Sequence, residues 1–248
     1  MTPAGYTYLR RDGVRALVRH DLVVPLGGWL LADEIVPLPA AEAIESGRGG
    51  AFRASVGGLR LVVRPCRRGG WIARILGETY LGLRPRPWRE LAVSVAARAR
   101  AVPAPAVVAV RVAGWGAYRG VVVTEEAAGA VTLAAALRAA ASDEERGRLA
   151  RAAGEAVARL HAAGVEHADL NLFNILVRPE PAGAAALVID LDKARLRRAP
   201  LARRRRRRNL RRLERSWRRV SGADEVPPEL RRGFGGGYAA VDGFTCAC

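Results

Sequence analysis

Apolar and polar residues alternate with a period of two early in the chain. Tyr6 to Val18 (YTYLRRDGVRALV) places β-prone runs on either side of Asp12-Gly13, a dipeptide suited to a tight hairpin turn. Ala51 to Arg64 (AFRASVGGLRLVVR) repeats the arrangement around Gly57-Gly58, with Leu59, Leu61 and Val63 alternating against Arg60, Val62 and Arg64. The period then changes. Trp88 to Arg100 predicts a helix with Leu91, Val95 and Ala99 as its apolar stripe, entered at Pro87 and ended by Pro103 and Pro105. Val107 to Val112 and Val121 to Val123 return to strand, and Thr124-Glu125-Glu126 breaks the second of them. Beyond Gly129 the chain turns alanine-rich. Ser142-Asp143-Glu144-Glu145 forms a capping box before a helix carrying Leu149, Ala153, Val157 and Leu160, with Gly164 as its C-cap. Arg195 to Val220 predicts a basic helix in which Leu210, Leu213 and Trp217, at i, i+3 and i+7, form the docking face. Strands around one helix, followed by helices, predict an α+β protein of two lobes. The β-rich N-lobe would span residues 1–126 and the helical C-lobe 127–248.

Charge narrows the partners. The 248 residues hold 41 Lys+Arg against 24 Asp+Glu, a net charge of +17. That favours nucleic acid, an acidic membrane surface or a phosphorylated substrate. Lys193 is the sole lysine, and a GC-rich coding sequence gives the same excess of Arg, Ala and Gly without selection for charge, so position matters more than total. Arg203 to Arg208, with Arg211 and Arg212, reads as a solvated or nucleic-acid-binding stretch, and its place beside Leu210, Leu213 and Trp217 makes an anionic lipid interface a competing reading. Cys66, Cys246 and Cys248 make no disulfide framework, and Cys246-x-Cys248 lacks two further zinc ligands, so a reducing, cytoplasmic setting is expected. Uncharged stretches such as Leu22 to Ala32 are far shorter than the ~20 residues of a membrane span.

The chemistry concentrates between Gly164 and Lys193. His167-x-Asp169 followed by Asn174 reproduces the H-x-D-x-x-x-x-N spacing of a kinase catalytic loop, and apolar Ala185 to Ile189 leads into Asp190, where a second metal-binding Asp would stand. Phosphoryl transfer requires a positioned acceptor hydroxyl and Mg²⁺ held against the phosphates. Asp169 suits the first task, as the catalytic residue, and Asn174 and Asp190 suit the second, as metal ligands. Asp192 is either a further ligand or a solvated turn residue, and Lys193 either a cation near the phosphoryl group or a surface residue. His161 and His167 are expected to be structural. Ala168 stands where many protein kinases carry an Arg that clamps a phosphorylated loop, so that form of control is not expected.

Upstream, Gly47, Gly49 and Gly50 resemble the start of a glycine-rich phosphate loop, with Phe52 in place of its third glycine. Leu61-Val62-Val63-Arg64 has the form of the strand that carries a phosphate-binding base, making Arg64 the favoured cation and Arg67 or Arg68 its competitors. Glu90 is the favoured carboxylate to orient it, with Glu78 competing. Val121 to Glu126 would supply a backbone edge for adenine. Only 56 residues follow Asp192, without an A-P-E signal, so a small or lipid-linked acceptor is expected rather than a polypeptide.

Together these elements resemble the lipopolysaccharide kinase family, and most of all its members acting on 3-deoxy-D-manno-octulosonic acid (Kdo). The resemblance covers most of the chain and rests on several elements: Arg64 to Gly70 (RPCRRGG), Trp88-Arg89-Glu90, the run from Leu160 to Asn171 with its H-A-D-L-N element, Asn174-Ile175-Leu176, Ile189 to Asp192, and Asn209 to Ser216. It implies a protein-kinase-like fold with ATP and Mg²⁺ as cofactors. It also implies a lipid-linked sugar acceptor, Kdo on lipid A precursor, and peripheral attachment to the anionic cytoplasmic face of the bacterial inner membrane. Nucleic acid is not the expected partner and no protein partner is implied. Leu191 stands where the family usually has Phe, and related members phosphorylate heptose instead. A non-catalytic module holding anionic lipid or nucleic acid is the rival from another class; intact Asp169, Asn174 and Asp190 argue against it.

Overall fold

The computed structural model describes residues 2–38, 41–44, 50–66, 80–82, 85–180 and 183–242. The chain divides into two compact units, Met1–Val95 with Ala106–Ala128, and Ala96–Pro105 with Gly129–Cys248.

The first unit is built on an antiparallel sheet. β1 (Tyr6–Arg11) and β2 (Val14–Arg19) form the first hairpin, and β4 (Phe52–Val56) and β5 (Leu59–Pro65) the second. Asp12 and Gly13 (φ 43° and 80°), like Gly57 and Gly58 (φ 59° and 78°), take the left-handed angles that a two-residue hairpin turn requires. With β3 (Glu42–Ala43), β6 (Tyr80–Leu81), β7 (Val107–Ala113) and β8 (Ala117–Glu125), the order is β1-β2-β7-β8-β5-β4-β3, and β6 pairs with β8. β8 runs through Glu125, so of the residues expected to break it Thr124 and Glu125 are part of it and the strand ends before Glu126; Leu61 and Glu125 are ladder partners. One face of the sheet packs on α1 (Val23–Leu30) through Leu26 and Leu30, both fully buried with Val18, Leu61, Val108 and Val123. The sequence VVPLGGWL has no polar face to mark it as a helix, so burial rather than periodicity makes it one.

α2 (Arg86–Arg98) starts two residues before the expected helix and ends two before it. Its buried stripe is Pro87, Glu90, Leu91, Ser94 and Ala97, whereas Ala99 lies outside the helix and is exposed. Two polar residues in the buried stripe concealed it from a reading that sought apolar side chains alone.

The second unit is mainly helical. α3 (Leu133–Ala139) and α4 (Asp143–Ala162) precede a β-hairpin of β11 (Ile175–Glu180) and β12 (Gly183–Val188), to which β9 (Val131–Thr132) adds an edge; α5 (Arg203–Ser221) and α6 (Pro228–Asp242) close the chain. Ser142 Oγ accepts the Glu145 N–H at 3.2 Å while Glu145 Oε2 accepts the Ala141 N–H at 2.9 Å, so the capping box forms one residue wider than expected. α4 buries Leu149, Ala153 and Val157 in one cluster with Ile175, Leu170 and Tyr238, and Leu160 is fully buried as well. α6 approaches α4 so closely that a Cβ on Gly154 would collide with the Phe234 carbonyl, and one on Gly237 with that of Arg151. That backbone contact seats Tyr238 beside His161.

Helix α5 is shorter than the expected Arg195–Val220. Arg195 and Leu196 instead form β13 (Arg195–Leu196), which pairs with β10 (Val165–Glu166). The docked face also differs: Arg206, Asn209, Leu213 and Ser216 are buried, while Leu210 and Trp217 are partly buried at its edge.

Candidate active site

In the second unit, α4 ends on Ala163, and Gly164 follows it at φ 74° rather than serving as the cap itself. A Cβ at Gly164 would lie 2.5 Å from the Ala199 carbonyl, so only glycine lets the chain turn here into β10. Glu166 then holds Arg205 at 2.6 Å and Arg197 at 3.2 Å. Burial by itself would push the Glu166 carboxyl up, but these two guanidinium contacts outweigh it and hold the group below its usual range.

His167 is 1 % exposed and makes two bonds that fix its tautomer. Its Nδ1 accepts the Asp169 N–H at 3.1 Å, so Nε2 carries the proton, which it donates to the Ile189 carbonyl at 3.0 Å. Burial pushes its pKa down and keeps the ring neutral. One imidazole thus ties the backbone of Asp169 to the residue before Asp190. Asn174 adds a second tie: its Nδ2 donates to the Asp169 carbonyl at 2.8 Å, and its own carbonyl accepts the Ile189 N–H at 3.0 Å. Asn171 closes the loop, its Nδ2 donating to the Asp169 carbonyl at 3.0 Å and its Oδ1 accepting the N–H groups of Phe173 and Asn174 at 2.9 and 3.2 Å. The Asp169 side chain is exposed.

Asp190 takes a left-handed conformation, φ 62° and ψ 56°, unfavourable for a residue with a Cβ. Such strain persists where surrounding bonds impose it, and it gathers at functional sites. The 3₁₀ turn Leu191–Lys193 that follows buries Asp192 to 8 % exposure, so it is not a solvated turn residue; Lys193 is exposed.

The buried polar face of α5 explains the loop's position. Asn209 Nδ2 donates to the His167 carbonyl at 2.9 Å and its Oδ1 accepts the His167 N–H at 3.1 Å. Ser216 Oγ accepts the Leu172 N–H at 3.2 Å. Asn209 Oδ1 also accepts from His161 Nε2 at 3.3 Å, leaving His161 Nδ1 to accept the Tyr238 hydroxyl proton at 2.7 Å. His161, Asn209 and Tyr238 are fully buried, and burial pulls the His161 pKa down to about 4. Both histidines are therefore structural, as expected. Asn209, Ser216 and Tyr238 were missed as supports, although Arg206, Asn209, Leu213 and Ser216 recur at helical spacing within the arginine run.

Among the described residues no group of three His, Cys, Asp or Glu could hold a metal ion. The donor set at hand is Asn174 Oδ1 and the Asp190 carboxylate. Two hard oxygen donors fit Mg²⁺, which commonly takes few protein ligands and completes its octahedron with water and phosphate oxygens.

In the first unit, Arg64 on β5 donates from Nη2 to Glu90 Oε1 at 2.5 Å. Glu90 is only 4 % exposed, so it is not an ordinary solvated carboxylate at a helix start. Gly50 lies just before β4 at φ 77°. Gly47, Gly49, Arg67, Arg68, Glu78, Cys246 and Cys248 lie outside the described residues. The expected adenine edge is in part already used: the Glu125 and Glu126 N–H groups donate to the Ala106 and Arg60 carbonyls, both at 2.8 Å.

Comparison with known proteins agrees with this geometry. Residues 40–227 match the model of the lipopolysaccharide kinase (Kdo/WaaP) family. The chain is 34 % identical over 194 residues to a 3-deoxy-D-manno-octulosonic acid kinase of Xylella fastidiosa (strain M12), covering 75 % of this chain and 73 % of the relative. It is 36 % identical over 185 residues to one of Xanthomonas campestris pv. campestris (strain B100), covering 72 % and 70 %. Among solved structures it is similar to WaaP in complex with acyl carrier protein, with TM-score 0.53 and 23 % identity over 81 % of this chain and 78 % of that one. It is similar also to the Rio2 kinase–ADP/Mg²⁺–phosphoaspartate complex from Chaetomium thermophilum, with TM-score 0.51 and 15 % identity over 96 % and 74 %. These two likenesses show a protein-kinase-like α+β fold.

Proposed function

Because the chain belongs to the lipopolysaccharide kinase (Kdo/WaaP) family, and so to the phosphotransferases with an alcohol acceptor, we propose that it phosphorylates a hydroxyl of Kdo on lipid A precursor at the expense of ATP. The observation that carries the reading is the pair of ties, through His167 and Asn174, that hold Asp169 against the strand end leading to Asp190. The relatives bearing a Kdo kinase name support the choice of acceptor. We read the first unit as the nucleotide-binding lobe and the second as the catalytic lobe.

Asp169 accepts the proton of the acceptor hydroxyl as its oxygen attacks the γ-phosphorus, and the bond to the β-phosphate oxygen breaks to release ADP. Asn174 Oδ1 and Asp190 would hold Mg²⁺, which when bound neutralises charge on the phosphate oxygens. In the first unit, Arg64, oriented by Glu90, would take phosphate oxygens, with Gly47, Gly49 and Gly50 supplying backbone N–H groups. Arginine here in place of lysine offers a planar fork suited to two oxygens at once.

No helix of the described residues is long and apolar enough to cross a membrane. We place the protein peripherally, at the cytoplasmic face of the inner membrane, with the arginines of α5 toward anionic headgroups. The deciding experiment is mass spectrometry after incubation with Mg·ATP and Kdo-bearing lipid A precursor, with heptose-bearing lipid in parallel. One added phosphate on the Kdo lipid is expected. Transfer to heptose alone would overturn the acceptor, and transfer that survives Asp169→Ala would overturn the catalytic role.

A further inference from the structure

The second unit holds a cavity of about 500 Å³ that the phosphoryl-transfer chemistry does not use. Leu137, Leu172, Leu213, Leu230 and Phe234 wall it, Trp217 stands against it, and Arg207 and Arg211 line it as well. The same two arginines also line an adjoining recess on α5, together with Arg204, Arg208 and Arg215. Among the described residues none of these five is paired with a carboxylate, whereas Arg205 and Arg218 of the same helix are. Like charges one turn apart on a helix repel, so the face is built to receive an anion from outside the chain.

The two features together restrict the occupant. Nucleic acid or inorganic phosphate would satisfy the guanidinium groups and leave the apolar cavity without a role. A neutral hydrophobe would fill the cavity and ignore the arginines. An anionic lipid offers a headgroup phosphate and an alkyl chain in one molecule. The size of the cavity falls within the ordinary span of ligand sites.

We propose that this cavity takes one acyl chain of an anionic bilayer lipid, whose headgroup phosphate is held by Arg207 and Arg211. The site also bears on the loop read above as catalytic. Leu172 follows Asp169 by three residues; its N–H is held by Ser216 Oγ of α5, and its carbonyl accepts the Ala134 N–H of α3 at 3.2 Å. A chain lodged against Leu172 therefore presses on a residue tied to both helices. This last consequence rests on the kinase reading; the binding site does not.

Trp217 supplies the test. The full chain is mixed with phosphatidylglycerol vesicles whose acyl chains carry bromine, a short-range quencher, with brominated phosphatidylcholine and unbrominated phosphatidylglycerol alongside. Bromine-dependent quenching is expected with phosphatidylglycerol only and should vanish in Trp217→Phe. Arg207→Glu with Arg211→Glu should weaken vesicle binding at least tenfold. Ala150→Leu, which fills the cavity from α4, should leave vesicle flotation intact and abolish quenching, with thermal melts verifying that each variant folds. Flotation without quenching of the parent chain would mean binding by surface charge alone and would overturn the proposal. So would equal quenching by phosphatidylcholine, or quenching only when the lipid-linked sugar itself carries the bromine. Asp169→Ala should quench like the parent. A chain that quenches but transfers no phosphate fails the kinase reading alone, and one that transfers but never quenches fails this proposal alone.

Discussion

Asp169 is exposed while its backbone is held by His167, Asn171 and Asn174, so its carboxylate can be altered without disturbing the loop. Asp169→Asn keeps the shape and removes the proposed base. It should lower kcat by about 10²- to 10⁴-fold, with KM for ATP little changed and the melting temperature preserved, read by coupled ADP release and a thermal melt. A loss confined to KM would show that the residue binds rather than reacts. Arg64 makes the opposite case. If it holds phosphate, Arg64→Ala should raise KM for ATP by about ten- to a hundredfold, the worth of one charge-assisted hydrogen bond. Glu90→Gln should give a smaller rise in the same direction, because it leaves the guanidinium present but loosely aimed. Lysine at position 64 should recover only part of the loss, since a point charge cannot reproduce a two-pronged contact. An unchanged KM in all three variants would move the phosphate-binding role to another arginine.

At the level of elements, the buried chain from Tyr238 through His161 and Asn209 to His167 joins α6, α4 and α5 to the loop that carries Asp169. Its histidines are neutral when folded, with His161 near pKa 4, and ordinary near 6.5 when unfolded. The unfolded chain therefore binds more protons below pH 6.5, and the stabilisation, complete above that pH, is lost as pH falls toward 4. Urea unfolding at pH 5 should show about 2 kcal/mol less stability than at pH 7.5 from His161 alone, with His167 adding in the same direction. Glu126 and Glu166, whose carboxyls are held low, lose their stabilisation in the same direction, mainly as pH falls below their unfolded range. A flat profile would contradict the tautomers assigned here. This network also marks where the sequence could be read and where it could not. The two hairpins were legible because their turn dipeptides and alternation are local signals, and the spacing of His167, Asp169, Asn174 and Asp190 picked out residues whose loop and strand end the structure ties together. The docked face of α5 was not. Its buried residues are Arg206, Asn209 and Ser216 as well as Leu213; Asn209 and Ser216 are spent on carbonyl and N–H groups of segments distant in sequence, and Arg206 on the Leu201 carbonyl just ahead of the helix. Hydropathy carries no trace of a partner that folding brings in. In α2 hydropathy likewise gave no sign that Glu90 is buried; what pointed to its partner Arg64 on β5 was the motif spacing.

For the molecule as a whole, the excess of 41 basic over 24 acidic residues acts through its distribution. Many arginines are consumed internally: Arg53 and Arg60 by Glu126, Arg19 by Asp21 and Glu125, Arg197 and Arg205 by Glu166. Those of α5 that face solvent without a carboxylate are what an anionic surface would meet. If five such groups each contribute about 1 kcal/mol at an anionic bilayer, membrane attachment is worth roughly 5 kcal/mol at low salt, or more than a thousandfold in partitioning. Exposed charge is screened within about 10 Å at 0.1 M salt and about 3 Å at 1 M. Partitioning onto phosphatidylglycerol vesicles should therefore fall by orders of magnitude across that range, while phosphatidylcholine shows little binding throughout. Phosphorylation of a vesicle-borne acceptor should fall in parallel, and slow ATP hydrolysis without acceptor should not, because on the proposed reading Asp169, Asn174 and Asp190 act at contact distance, well inside the screening length. Salt that suppressed both activities equally would place the effect on the nucleotide rather than the membrane, and would remove the arginine face of α5 from the account of how the enzyme reaches its substrate.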